Sequence, residues 1–193
     1  MFQVRVHGRG GQGVVTAAEV LSVAAFEDGH EAQAFPSFGS ERMGAPVVAY
    51  CRIDDKPIRV REPVTEPDAL VIVDPTLLHH VDLFAGIGPE GYVLVNSAHT
   101  WSELGLDDLS DRLAPERTVT VPADDLARLH TGRPLGNTAL LGALAALTGM
   151  LRISSLEVAL RMRFGEKTGA RNAAAARAAF DWVTELRKAD VDA

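Results

Sequence analysis

"HGRGGQGVV", residues 7–15, sets Gly8, Gly10 and Gly13 in the spacing G-x-G-x-x-G close to the start of the chain. Upstream, "FQVRVH" alternates and is partly β-branched, which predicts a strand over residues 2–7. Downstream, the pattern from Val14 to Asp28, closed by Gly29, predicts a helix. Strand, glycine turn and helix in that order allow a tight turn, close approach of a ligand to the backbone, and free N–H groups facing an anion at the helix start. A dinucleotide fold also needs an acidic residue about 20 positions on, at the end of the second strand, to accept from the ribose hydroxyls. That end reads "QAFPSF": Glu31 falls at the start of the strand and Glu41 lies in the next loop, so the nucleotide half of the fingerprint is incomplete. Yet four glycines with Arg9 and Gln12 exceed what helix packing requires. Gln12 can bond a ligand or lock the turn, and Arg9 can reach a phosphate or a partner's carboxylate.

Working outward, a short strand is expected near Glu31 to Phe35, an irregular segment "PSFGSERMGA", and a longer strand "PVVAYCRI" at 46–53. "ALVIVD" at 69–74 is a continuous apolar run, the pattern of a strand buried on both faces of a parallel sheet, after which Asp74 caps a helix with Pro75 at its first position. "YVLVN" at 92–96 and "RTVTVPA" at 117–123 add two strands, and "DDKPIRVREPVTEPD" at 54–68 is a proline-punctuated excursion. "NTALLGALAALTG" at 137–149 is apolar around its whole circumference, so it must be buried on more than one side. Ser154 and Glu157 read as a capping box, and an alanine-rich helix from about Arg171 to Lys188 places Phe180, Val183 and Leu186 on one stripe. The expected fold is a single α/β domain over 1–193. It is a three-layer sandwich with a mostly parallel sheet, a Rossmann-like N-terminal glycine loop and C-terminal helices. The small side chains of the last helix, with the all-round apolar helix, predict a hydrophobic interface with a partner.

The composition is that of a soluble globule, with 47% hydrophobic and 23% charged residues. No run approaches the ~18 apolar residues of a membrane span, and the polar start lacks a signal-peptide core, so a cytoplasmic protein is expected. A net charge of −7 without a basic block argues against a nucleic-acid surface and against docking of an acidic electron carrier on this chain alone. The one cysteine, Cys51, cannot hold an iron–sulfur cluster, which normally takes four thiolates, and its apolar setting makes it a buried structural thiol. Adjacent helical neighbours point about 100° apart, so His79 and His80 do not share a metal; His7, His30, His99 and His130 show no metal spacing. No G-x-S-x-G elbow or P-loop is present.

The second dense stretch is "FPSFGSERMGAPV" at 35–47. Leaving the carboxyl end of the second strand, it is expected beside the glycine loop, where open α/β sheets place ligands. Together, "HGRGGQGVVTAAEVL", "FPSFGSERMGAPV" and "PLGNTALLGALAALTG" closely resemble the gamma subunit, or gamma domain, of the 2-oxoacid:ferredoxin (acceptor) oxidoreductases, over nearly the whole chain. That family oxidatively decarboxylates a 2-oxoacid on thiamine diphosphate, passes electrons through iron–sulfur clusters and releases an acyl-CoA. The resemblance implies that thiamine diphosphate, Mg²⁺ and the clusters sit in partner subunits. This chain would hold no cofactor alone; it would support assembly and help form the coenzyme A site and the active-site channel.

On that resemblance the ligand-contacting candidates are Gly8, Arg9, Gly10, Gly11, Gln12 and Gly13 in the first loop, Ser37, Phe38, Gly39, Ser40, Glu41, Arg42 and Gly44 in the second, and Asn137. Arg42 either meets a coenzyme A phosphate or pairs with Glu41 or a partner chain; Asn137 is either an N-cap or a ligand contact. No catalytic residue and no metal ligand is assigned. Pyruvate is the default 2-oxoacid, and ferredoxin or NAD the acceptor of the complex. The rival reading is a stand-alone NAD- or FAD-binding Rossmann-like module or small oxidoreductase; a ligand-free scaffold is a third.

Overall fold

A computed structural model describes residues 1–37, 43–110 and 112–191. Six strands form one sheet: β1 (Phe2–Arg9), β2 (Glu31–Pro36), β3 (Pro46–Asp54), β4 (Ala69–Ile72), β5 (Tyr92–Asn96) and β6 (Thr118–Val121), in the order β2-β3-β1-β4-β5-β6. The sheet is mixed and largely parallel. β1, β4, β5 and β6 are parallel neighbours, while β3 runs antiparallel to both β1 and β2. A short connection can join antiparallel strands but not parallel ones, and only residues 37–45 separate β2 from β3. β1 extends past the expected end at residue 7 because Gly8 and Arg9 still pair with Val47 and Pro46.

Period-two alternation divides the chain between the two faces. Val4, Val6, Ala49, Cys51, Ile53, Ala69, Val71 and Leu94 turn to one side, against α1 (Val14–Glu27), α3 (Ala123–Thr131), α4 (Asn137–Thr148) and α5 (Ile153–Val191). Leu70, Ile72, Val93 and Val95 turn to the other, covered by Leu77, Leu83, Ile87, Leu106 and Leu113 from turns and by Leu109 of the one-turn helix α2 (Asp107–Ser110). Over β1 and β3 this second face is polar. Buried Arg5 and Arg52 reach carbonyls of the proline-punctuated excursion, Arg5 to Val64 and Arg52 to Val60 and Glu62, and strap it to the sheet.

Three local expectations are corrected. The helix after Asp74 is a 3₁₀ turn, Pro75–His79, though Asp74 does accept from the Thr76 N–H (2.9 Å). Ser154 does not cap: the helix already includes Ile153, and the Asp28 carboxylate at the end of α1 accepts from Arg152 N–H (2.7 Å) and the Ser155 hydroxyl. A charged acceptor holds that end more strongly than a hydroxyl. Glu157 turns instead to Arg177 (2.8 Å). The alanine-rich helix is the second part of α5, which runs from Ile153 and is broken only at Gly165 (φ 74°, ψ 167°).

The all-round apolar helix is α4, and what covers it is the same chain. The sheet lies on one side and α5 on another, so close that a Cβ at Gly142 would overlap the backbone of Ala176. The apolar circumference and the small residues of α5 therefore satisfy each other, and the partner interface inferred from them is not required. No described helix is long and apolar enough to cross a membrane.

Candidate functional site

The carboxyl end of β1 enters a turn that its own side chains hold shut. The Gln12 Oε1 accepts from Arg9 N–H (2.7 Å), Gln12 N–H donates to the Arg9 carbonyl (3.0 Å), and Gln12 Nε2 donates to Asp74 (2.8 Å) at the end of β4. Arg9 sits across the same carboxylate at 3.2 Å and donates to Thr76 and to the Gly44 carbonyl. Burial opposes the Asp74 charge, but hydrogen bonds from Thr76 and Gln12 and the Arg9 charge outweigh it and hold the carboxyl below its ordinary value. Of the two roles open to Gln12, locking the turn is the one observed, and Arg9 is engaged within the chain.

The turn needs glycine where the backbone is left-handed, at Gly11 (φ 96°) and Gly13 (φ 73°). At Gly13 a Cβ would also stand 2.5 Å from the Asn137 Nδ2, which donates to the Gly13 carbonyl (3.1 Å). Asn137 is thus no N-cap: Gly136 occupies that position, and the Asn137 amide bridges the start of α4 to the start of α1. At the head of α1 the first ladder bond to the turn is Ala17 N–H to the Gly13 carbonyl. Among the described residues the N–H groups of Val14, Val15 and Thr16 have no partner.

The end of the second loop, residues 43–45, meets this turn. Gly10 N–H donates to the Ala45 carbonyl (2.9 Å), Gly44 N–H donates to the Gly10 carbonyl (3.1 Å), and Met43 reaches over Gly11. Ser37 continues the β2 edge, its N–H donating to the Val48 carbonyl. Phe38, Gly39, Ser40, Glu41 and Arg42 lie outside the described residues. Gly8 is a packing glycine, where a Cβ would meet the Val14 side chain at 2.6 Å.

A cavity of about 490 Å³ opens beside the turn. Gly11, Gln12, Gly13 and Asn137 line it together with residues the sequence reading did not single out: Thr16, Arg133, Phe164, Thr168, Arg171 and Asn172. The missed signal was Gly165. Breaking α5 there starts its second part at the cavity rim and turns Thr168, Arg171 and Asn172 inward.

Other chemistry-bearing groups are accounted for structurally. His7 is buried, accepts from Arg5 Nε–H (2.9 Å), and is pushed down to about 3 by burial and then by the Arg5 charge. Burial pushes the Cys51 thiol up to about 12. Asn96 donates to the Val73 carbonyl and accepts from Asp124 N–H at the start of α3. His79 and His80 are exposed. No group of three His, Cys, Asp or Glu among the described residues is placed to hold a metal.

Residues 3–182 match the model of the pyruvate ferredoxin/flavodoxin oxidoreductase family. The chain is similar to the pyruvate/ketoisovalerate oxidoreductases common subunit gamma of Pyrococcus abyssi, 47% identical over 181 residues that cover 94% of this chain and 96% of that one. Among solved structures it is similar to pyruvate oxidoreductase subunit PORC of Thermotoga maritima, with a TM-score of 0.78 and 32% identity over 93% of this chain and 95% of that one. A likeness of fold alone extends to the 2-oxoglutarate:ferredoxin oxidoreductase of Magnetococcus marinus, solved with 2-oxoglutarate, coenzyme A and succinyl-CoA bound. Its TM-score is 0.67 at 21% identity, over 97% of this chain and 31% of that one.

Proposed function

Because the chain belongs to the pyruvate ferredoxin/flavodoxin oxidoreductase family, as the non-catalytic gamma subunit of a 2-oxoacid:ferredoxin oxidoreductase, we propose that it forms the coenzyme A side of the active-site channel. The reaction of the complex joins a 2-oxoacid and coenzyme A, releases CO₂ and an acyl-CoA, and passes two electrons to the acceptor. Thiamine diphosphate with Mg²⁺ and the iron–sulfur clusters belong to partner subunits on this reading, since one buried cysteine and no described metal cluster leave no donor set for them here. The protein works in the cytoplasm, with ferredoxin or NAD as final acceptor.

The observation that carries the reading is the convergence of the glycine turn and residues 43–45 just ahead of β3. Gly10 bonds both Gly44 and Ala45, and the head of α1 presents unpaired N–H groups suited to phosphate oxygens. The family's Pyrococcus member is by name common to pyruvate and ketoisovalerate oxidoreductases, and one subunit serving two carbon chains fits a role in binding coenzyme A rather than reading the oxoacid. Pyruvate is the proposed substrate. A stand-alone dinucleotide module fits less well. Antiparallel β3 separates β2 from β1, so the end of β2 lies two strand spacings, roughly 10 Å, from the turn. Asp74, the carboxylate beside the turn, is already engaged by Gln12, Thr76 and Arg9.

The test places a carboxylate on the glycine turn, at Gly11 beside Met43. In the assembled complex, Gly11→Asp raises the KM for coenzyme A at least tenfold and leaves the KM for the 2-oxoacid unchanged, with Gly11→Asn as the uncharged control. An unchanged coenzyme A KM in Gly11→Asp removes this reading.

A further inference from the structure

We propose that the arm over residues 57–63, between β3 and β4, is a docking strand that pairs edge to edge with an extended acidic segment of another subunit of the complex, carboxylates two residues apart meeting Arg59 and Arg61. Arg52, which anchors the arm, is the β3 partner of Gln3, so the arm lies at the opposite end of β1 from the glycine turn, roughly 20 Å away along the strand. The proposal is independent of the coenzyme A reading and needs only that the chain belongs to a multi-subunit complex.

Residues 59–63 are all exposed, yet two buried cations hold the arm in place. Arg52, only 2% exposed and lying over the Phe35 ring at 5.1 Å, donates to the Val60 carbonyl (3.3 Å) and to the Glu62 carbonyl. Arg5, also buried, reaches the Val64 carbonyl and ties it to the carbonyls of Leu83 and Ala85, both at 2.7 Å. Neither guanidinium has an ion-pair partner among the described residues. Taking a cation out of water is costly unless its donors are satisfied, and a loop that only joins β3 to β4 needs no such anchor.

The anchored carbonyls belong to every second residue, Val60, Glu62 and Val64, the spacing of an extended chain, in which the backbone groups of successive residues point to opposite sides. The N–H and C=O of Arg59 and Arg61 therefore turn away from the sheet, and they have no partner among the described residues. Such a row is a template for a strand from another chain. Side chains alternate as well, so Arg59 and Arg61 share one face; both are exposed, as is Lys56, and none of the three has an ion-pair partner among the described residues. The acids nearby are engaged: Asp54 with the N-terminal ammonium (3.4 Å), Asp55 with His30 (2.8 Å), Asp68 with Gln3 N–H (2.7 Å), while the Glu62 charge favours the buried Arg52 cation. Residues 56–61 thus offer three cations and no anion in a chain whose net charge is −7. Opposite charges across a strand pair attract and like charges repel, which selects an acidic partner strand over the same arm of a second copy. An electron carrier docks beside a cluster, and the one buried cysteine leaves no donor set for a cluster here, which favours a subunit segment over ferredoxin.

The experiment uses the assembled complex with the full chain tagged. Arg59→Glu and Arg61→Glu together reverse both charge pairs; the two side chains are exposed, so the fold tolerates the change, and thermal unfolding of the full chain checks this. The expected result is a fall of about tenfold or more in the affinity of the partner subunits for this chain, with assembly losing part of its salt sensitivity. Arg59→Lys with Arg61→Lys keeps the charge and assembles like the parent. In that variant a carbodiimide, which joins an amine to a carboxylate in contact with it, links position 59 or 61 to an acid of another subunit that has a second acid two positions away. Arg61→Pro, which also removes an outward N–H, weakens assembly more than Arg61→Ala; equal losses overturn the strand pairing. Unchanged affinity in the glutamate variant overturns the proposal. So do cross-links confined to copies of this chain, or a raised KM for ferredoxin at full subunit content.

Discussion

The Asn137 amide donates to the Gly13 carbonyl at 3.1 Å, closing a contact between residues 124 positions apart and joining the first turn of α4 to the turn that launches α1. A methyl group at Gly13 has no room, since it would meet Asn137 Nδ2 at 2.5 Å and would force a left-handed conformation on an L residue. Gly13→Ala should therefore destabilise the protein by about 2–3 kcal/mol, combining backbone strain of roughly 1 kcal/mol with the clash. Removing the obstructing amide relieves only the clash. The double variant Gly13→Ala/Asn137→Ala should be more stable than the sum of the two single losses predicts, as read by denaturant unfolding. Strict additivity would show that the two residues are not coupled.

Gln12 is a one-residue clasp, accepting from Arg9 N–H and donating to Asp74. Gln12→Glu keeps the acceptor but sets a second carboxylate against Asp74. The loss should be small below about pH 4, where the introduced carboxyl is protonated and can donate to Asp74, and reach roughly 1–3 kcal/mol at neutral pH. Gln12→Ala removes both bonds; because the Gln12 hydrogen bond helps hold the Asp74 carboxyl low, its loss should also shrink at acid pH, but less steeply than that of Gln12→Glu, which adds repulsion. If the two variants have parallel pH–stability curves, the Gln12–Asp74 contact is not what holds the turn.

Asp28 caps α5 from the end of α1, accepting from Arg152 N–H, Arg152 Nε–H and the Ser155 hydroxyl. Burial opposes its charge, but these hydrogen bonds and the Arg152 charge win, and its carboxyl titrates below the ordinary value. A depressed carboxyl contributes stability that is fully present above its unfolded value near pH 4 and lost as pH falls through the lower folded value. Asp28→Asn should cost about 2 kcal/mol at pH 7, with the difference from the parent shrinking below pH 4. A difference that stays constant down to pH 3 would mean the charge contributes nothing.

The same contact shows where sequence reading stops. Each strand of the sheet was legible because its alternation or apolar run is local, and the glycine turn because its spacing is. The antiparallel insertion of β3 was not: pairing direction depends on how the 37–45 segment returns, and nothing in "PVVAYCRI" records it. Ser154 and Glu157 have capping-box spacing, but a carboxylate from Asp28 outcompetes the hydroxyl, and no local pattern reveals a partner so far away in sequence. At the site, Gly11, Gln12 and Asn137 could be named from the sequence, whereas Arg133 and Arg171 become neighbours only through the break at Gly165.

His7 supplies a pH-dependent test of the buried second face. It lies on β1 with its Nε2 accepting from Arg5 Nε–H, in a setting that lowers its pKa from 6.5 to about 3 through burial and then the Arg5 charge. As pH falls from 6.5 toward 3, the unfolded chain takes up a proton that the folded chain refuses. Stability must therefore fall across that window, and this contribution is flat above pH 7. The slope from one such group approaches about 1.4 kcal/mol per pH unit. His7→Gln keeps an acceptor for Arg5 Nε–H and removes the titration. Between pH 6 and 4.5, above the range where Asp28 and Asp74 titrate, the stability of the full chain should slope less steeply with pH in His7→Gln than in the parent. Equal slopes over that interval would show that His7 already takes up its proton in the folded state, and that its partnership with Arg5 does not keep it neutral.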